Sequence, residues 1–384
     1  MKTKINRVIS KLLVLLVFIQ FNAEAQSSAL LVADSLYAHG NYTKAITAYK
    51  TYNNKKEVYH KIAKAYIAIG NYDAALEHYK LSVETNPNDA LLKFDYAKLL
   101  SRAKKYEDAS KIFNELILKD DTNPNYHYEA GIILEKQRDT LALQRYLTAY
   151  ELDNSHQKAI FKIAKHHLQK RNFETSHSYI DTGLKTYANN LELISLKAQN
   201  YYHQEYYTIA IPWFQKLLDL GENSEFIHEK LSLCYSQNSD YVPAIKHRKL
   251  ALAFNPTDSI AMYVIGKYYE ILNDFENAEK FISAALELMD APLNVEYRTL
   301  GVVLNRLEKR EEAIKAFKKA LKEDPSDLFA EFFIIRTKDE YYADKLAVIK
   351  LYEDFVDKHE KNPFKPFAEG RIKELKEEEF LKKD

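Results

Sequence analysis

The chain has 384 residues, 46% hydrophobic and 29% charged, with Lys plus Arg and Asp plus Glu each at 55. That balance excludes a disordered polyelectrolyte and a polytopic membrane protein, and a formal net charge of zero gives no electrostatic footprint for nucleic acid. Tyr (29) and Phe (19) are plentiful while Gly (8) and Pro (9) are scarce, a composition that favours helix packed on helix.

Residues 1–25 read as a secretory signal. Lys2, Lys4, Arg7 and Lys11 make a basic start, Leu12 to Phe21 form a short apolar run, and Ala23 and Ala25 are small residues placing cleavage before Gln26. The run is short for a bilayer span, so no stable span is expected after cleavage; a retained anchor is the alternative. With the short signal and the Lys-, Asn- and Tyr-rich style, this predicts a bacterial chain exported to the periplasm or beyond. No cysteine lies near the cleavage site, which removes a lipoprotein anchor, and the sole cysteine, Cys234, leaves no internal disulfide. Removing the segment takes four Lys/Arg and one acid, Glu24, leaving a balance of −3.

From there a small residue recurs at Ala45, Ala75, Ala109, Ala142, Ser176, Ala210, Ala244, Ala278, Ala313 and Ala347, at spacings of 30, 34, 33, 34, 34, 34, 34, 35 and 34. A second small residue lies twelve places upstream of each of the first nine: Ala33, Ala63, Ala97, Ala130, Ala164, Ala198, Ser232, Gly266 and Gly301; the tenth breaks the rule with Ile335. Two helices can approach closely only where both carry small side chains at the crossing, so each pair predicts a tight helical hairpin. Four residues after the second small residue comes a bulky one, as at Tyr49, Tyr79, Phe113, Tyr146, Ile180, Phe214, Ile282 and Phe317, on the same buried face one turn on. An aromatic three places before it, from Tyr42 and Tyr72 to Phe275, is expected to wedge the turn. Pro87, Pro124, Pro256 and Pro325 end second helices, and Pro212, early in another, is expected to shorten or kink it.

At these residues the chain resembles the tetratricopeptide repeat family, whose 34-residue unit is a helix–turn–helix with this small, aromatic and proline pattern. The resemblance implies an all-α, right-handed α-solenoid of stacked hairpins: nine units over 26–327, a degenerate tenth over 328–362 and a C-terminal capping helix over 363–384. Phe367, Ala368, Ile372 and Leu375 make the expected buried stripe of that cap. Arg248 in place of a bulky residue, and Asp139 and Arg310 in place of turn aromatics, depart from the pattern.

No His-Glu-x-x-His, phosphate loop or Gly-x-Ser-x-Gly elbow is present, so the chain reads as a non-enzymatic binding protein without cofactor. Cys234 reads as a small packing residue. The adjacent pair His166 and His167 diverge by about 100° on a helix, so no metal site is expected.

The resemblance further implies that first helices line the concave face of the superhelix. That projection places Lys64, Lys98, Lys165 and Lys267 inward, each one residue after a small packing residue, with Arg102, Arg298 and Arg306. Phe94, Phe161 and Tyr263 lie one turn before three of those lysines, and Tyr202 lies nearby. A basic, aromatic-flecked groove suits an extended acidic peptide and equally an anionic polysaccharide, so a protein scaffold and a glycan-binding or polysaccharide-export accessory both remain open. A solvated face is the third reading, because Asp34, Glu57 and Glu229 dilute the charge. The carboxylate clamp of chaperone-binding family members is missing from the corresponding places, which hold His60, Lys64, Asp95, Pro124 and Tyr128.

Overall fold

The structure is a computed structural model that describes residues 29–289, 293–341 and 344–381; the expected signal at 1–25 lies outside them. Among the described residues there are helices and turns but no strand. The described residues divide into two bodies, within 29–188 and within 189–381. The N-terminal body holds five hairpins: 29–38 with Tyr42–Thr51, Lys55–Ala68 with Tyr72–Thr85, Ala90–Arg102 with Tyr106–Lys119, Pro124–Lys136 with Ala142–Leu152, and Gln157–Gln169 with Phe173–Thr186. The C-terminal body begins with Leu191–His203 and Tyr207–Asp219, Glu225–Gln237 and Tyr241–Leu252, and Ser259–Ile271 and Phe275–Leu288. It continues with Asn294–Arg306 and Arg310–Glu323, a tenth hairpin of Leu328–Tyr341 and Lys345–Lys358, and the last helix, Lys365–Leu381. From the second hairpin to the ninth, each helix packs chiefly on its hairpin partner and then on a neighbouring hairpin, which is the solenoid arrangement; in the tenth, Leu328–Tyr341 packs chiefly on Arg310–Glu323, and Lys345–Lys358 on the last helix.

Steric demand at the crossings explains the repeat. Ala33, Ala63, Ala97, Ala164 and Ala198 are fully buried, as are Ala45, Ala75, Ala109, Ser176, Ala210, Ala244, Ala278 and Ala313. Where glycine takes the place, a methyl would collide: a Cβ on Gly301 would stand 2.5 Å from the Phe317 ring, and one on Gly266 2.6 Å from Ile282. The bulky residues one turn on fill the remaining space, with Phe113, Ile180, Phe214, Ile282 and Phe317 all inaccessible. Arg248 is also buried, and its guanidinium reaches Glu229 at 2.8 Å, so its alkyl stem does the packing of the missing apolar residue. The first spacing is short because Tyr42–Thr51 has 10 residues where later second helices commonly have 14.

The first helix of each of the first nine hairpins closes with a left-handed residue. Lys104 has φ 60°, its N–H donates to Ser101 O, and the Lys105 N–H donates to Leu100 O at 2.9 Å, a Schellman turn. The same conformation recurs at Gly40, Gly70, Arg138, Arg171, Glu205, Ser239, Asn273 and Glu308. Only the first two hairpins supply glycine; the others hold side chains where L-residues are strained.

Three details differ from expectation. In the tenth hairpin Ala347 is exposed and Val348 is the inaccessible residue, with buried Tyr352 one turn on, so the register there is one residue later. In the last helix Ala368 and Leu375 are buried against Phe332, Val348 and Phe355, but Phe367 is 71% exposed, because it faces away from the stripe that caps the hairpin. Helix Tyr207–Asp219 runs through Pro212, which lies in its second turn and costs one backbone hydrogen bond without ending it. The turn aromatics open their helices partly covered, with Tyr42 edge-on to Tyr37 and Tyr207 edge-on to Tyr202, while Tyr72 stays 47% exposed.

Candidate functional site

The residues projected into a groove do lie on first helices, but their charges are mostly answered within the protein. In the N-terminal body Lys64 Nζ is 3.9 Å from the Asp95 carboxylate, and Lys98 Nζ is 3.7 Å from Glu129, each pairing with the following hairpin. In the C-terminal body Lys267 reaches Glu270 at 2.6 Å, and Arg298 reaches Asp327 at 3.3 Å while lying over Phe329. These positions are therefore charge-balanced rather than basic. Lys165 differs: its ammonium stands 5.7 Å from the centre of the Phe161 ring and meets no carboxylate among the described residues. Arg102 ends its helix exposed.

The aromatics divide in the same way. Phe94 is edge-on to the buried Phe113 and tilted against Tyr126, and it packs against that core. The Tyr263 hydroxyl meets Thr299 Oγ1 at 3.0 Å, stitching two hairpins together. Tyr202 carries Lys230 over its ring at 4.3 Å. Beside Lys64 a recess of about 400 Å³ is lined by Tyr79, His60 and Asp95, with the buried Ser82 hydroxyl, unpartnered among the described residues, at its wall.

A recurrent polar bridge escaped the sequence reading. Tyr49 donates to Asp34 at 2.5 Å, and Lys61 of the next hairpin reaches the same carboxylate at 2.7 Å. Tyr146 donates to Glu135 at 2.5 Å, and Lys162 of the next hairpin reaches it at 2.8 Å. Tyr352, Asp339, Lys345 and Arg371 repeat the arrangement around the last helix. Burial disfavours the charged form of Asp34 and Glu135, but the lysine and tyrosine hydrogen bonds outweigh it and hold both carboxyls below their usual range. The signal was present as a lysine two residues before the small residue, at Lys61 and Lys162. The carboxylate partner sits at no fixed offset, one residue after the small position at Asp34 and five after it at Glu135.

Among the described residues no three His, Cys, Asp or Glu side chains come together to hold an ion. Burial pushes the Cys234 thiol up to about 12, so it packs as a neutral side chain. His228 and His247 are buried with their Nδ1 atoms 3.0 Å apart and rings stacked, and Tyr235 stacks on His247. One proton shared between the two nitrogens joins the pair, and burial, with the neighbouring His228, pushes His247 down to about 4. A depressed imidazole contributes stability that is full above about 6.5 and lost as pH falls towards 4. We expect the unfolding free energy to drop by on the order of 2 kcal/mol across that window, and His247→Gln to flatten part of the drop. Denaturant titrations at pH 7 and pH 5 check this; an equal loss of unfolding free energy between the two pH values in both proteins would refute it.

The fold and its bridges define a repeat protein built of stacked helical hairpins. A tetratricopeptide repeat family model matches residues 66–128, and a second matches 260–288 and 297–327. The hairpins within those spans are tetratricopeptide repeats, and the other described hairpins share their architecture. A tetratricopeptide-repeat-containing protein of Methanocaldococcus jannaschii is 22% identical over 291 residues, covering 70% of this chain and 50% of its own. A BBSome complex member of Bos taurus is 20% identical over 264 residues, covering 69% of this chain and 51% of its own. The chain thus spans about half the length of the curated relatives it matches. Among solved structures, a repeat protein described as having an unusual peptide-binding site is 19% identical, covers 48% of this chain and 95% of its own, and superposes with a TM-score of 0.44. Yeast Tom70 is 15% identical, covers 94% of this chain and 97% of its own, with a TM-score of 0.36.

Proposed function

We propose that the chain is a non-enzymatic scaffold for protein–protein interaction that takes peptide segments of its partners along the first helices of its hairpins. The observation that carries this reading is the register of those helices: one small side chain per repeat is spent on packing, and the next position is exposed at Lys64 and Lys165 and half-exposed at Lys98, although the fourth hairpin buries Gly131 there. Such a row can follow an extended chain with side-chain contacts at each step. That the bovine relative is a member of a complex supports a role in assembly here. The basic start and the apolar run Leu12 to Phe21 support a place in the bacterial envelope. Among the described residues no helix is long and apolar enough to cross a membrane.

Crosslinked affinity capture from native envelopes tests the reading, comparing the native chain with a variant carrying Lys64, Lys98 and Lys165 all changed to Glu. The expected result is a discrete set of proteins held by the native chain and lost by the variant. Retention of the same proteins by both would move the partner surface away from the first helices. Retention of polysaccharide without protein would overturn the reading altogether.

A further inference from the structure

While most groove cations are paired within the protein, positive charge gathers unpaired at the turn of the fourth hairpin. A recess of about 550 Å³ lies at the turn of the fourth hairpin, against the first helix of the fifth. Four cations line it: Arg138 from the turn, and Lys162, Lys165 and Lys170 from the facing helix and its end. Two carboxylates line it as well, and both are engaged: Glu135 accepts from Tyr146 and Lys162, and Asp139 accepts from the Leu141 N–H at 2.9 Å. Arg138, Lys165 and Lys170 meet no carboxylate among the described residues, and His166 stands beside them on the recess wall. Three cations without a carboxylate partner, against the one unpaired charge of Asp139, leave this concavity net positive in a chain of zero formal charge, a local field that favours negative groups.

We propose that this recess docks an acidic segment of the partner, two or more adjacent Asp or Glu side chains, and so fixes the register of the bound peptide. The proposal rests on the scaffold reading above and adds to it the chemistry and the place of the anchor. Adjacent carboxylates match cations presented from two directions, Arg138 from the turn and the lysines from the helix, whereas the paired Lys64 and Lys98 would have to give up Asp95 and Glu129 to do the same.

The position of Arg138 supplies a clean test. Its φ is 61°, a conformation that favours glycine, so Arg138→Gly removes the charge while relieving backbone strain. Binding of a fluorescent oligoglutamate peptide would be measured by anisotropy, with oligoglutamine as the neutral control. We expect oligoglutamate to bind with salt-sensitive affinity and oligoglutamine not to bind. Arg138→Gly combined with Lys165→Gln should weaken binding by about tenfold without loss of thermal stability, while Lys315→Gln with Lys318→Gln, on the exposed face of a second helix in the other body, should change it by less than about twofold. Unchanged binding by the recess variant, or full displacement of the peptide by millimolar inorganic phosphate, would overturn the proposal. If oligoglutamate fails to bind while envelope proteins are still captured, the acidic anchor is wrong and the scaffold reading stands; if neither binds, both fall.

Discussion

Ala210→Leu is expected to destabilise the chain by roughly 1–3 kcal/mol through overpacking. Ala210 is inaccessible, it lies one turn before the inaccessible Phe214, and its hairpin partner helix presents the inaccessible Ala198. Three extra carbons have nowhere to go unless the two helix axes separate, and separation loosens the contacts of Phe214 and Leu217 as well. Ile209, one residue earlier, is 47% exposed, so Ile209→Leu should be near neutral and serves as the control. Because repeat stability is nearly a sum over units and their interfaces, the damage should centre on the sixth hairpin. Chemical denaturation of the two variants checks the result; an unchanged midpoint for Ala210→Leu would sink the alignment of that hairpin.

Asp339→Asn is expected to cost roughly 2–4 kcal/mol and to release the last helix. Asp339 is buried, Arg371 Nε reaches it at 2.7 Å, and Lys345 at 3.3 Å, so the substitution takes the carboxylate from Lys345 and leaves Arg371 only Glu374 and Glu378 on its own helix. Burial works against the Asp339 charge, but Arg371 and Lys345 prevail and hold its carboxyl below the usual range. A depressed carboxyl contributes stability that is present above about pH 4 and is lost as pH falls below it, so acid should reproduce the variant's effect in the native chain. Limited proteolysis within Lys365–Leu381 reads the release directly. Equal cleavage rates in variant and native chain at neutral pH would show that the bridge does not hold this helix.

What the sequence made legible follows from how each feature is encoded. The hairpin crossings were readable because a steric limit allows so few side chains: Ala, Ser or Gly had to recur in one column. The turns were harder, since the left-handed residue is demanded by backbone geometry and met by Lys104, Glu205, Ser239 or Asn273 alike, so no residue type marks the place. The shift from Ala347 to Val348 arose where two consecutive small or branched residues offered two registers, and Tyr352, one turn after Val348, was the clue. The candidate site was the least legible part. That Lys64 and Lys98 are paired, whereas Lys165 is not, depends on which residue the next hairpin presents opposite, and a single helix's pattern does not contain that information.

Hydrogen exchange of the chain with and without its captured partner tests the central claim most directly. Binding along the first helices predicts new protection in Lys55–Ala68, Ala90–Arg102 and Gln157–Gln169, with second helices such as Tyr72–Thr85 and Tyr106–Lys119 unchanged. Protection confined to second helices, or to Lys365–Leu381, would contradict it.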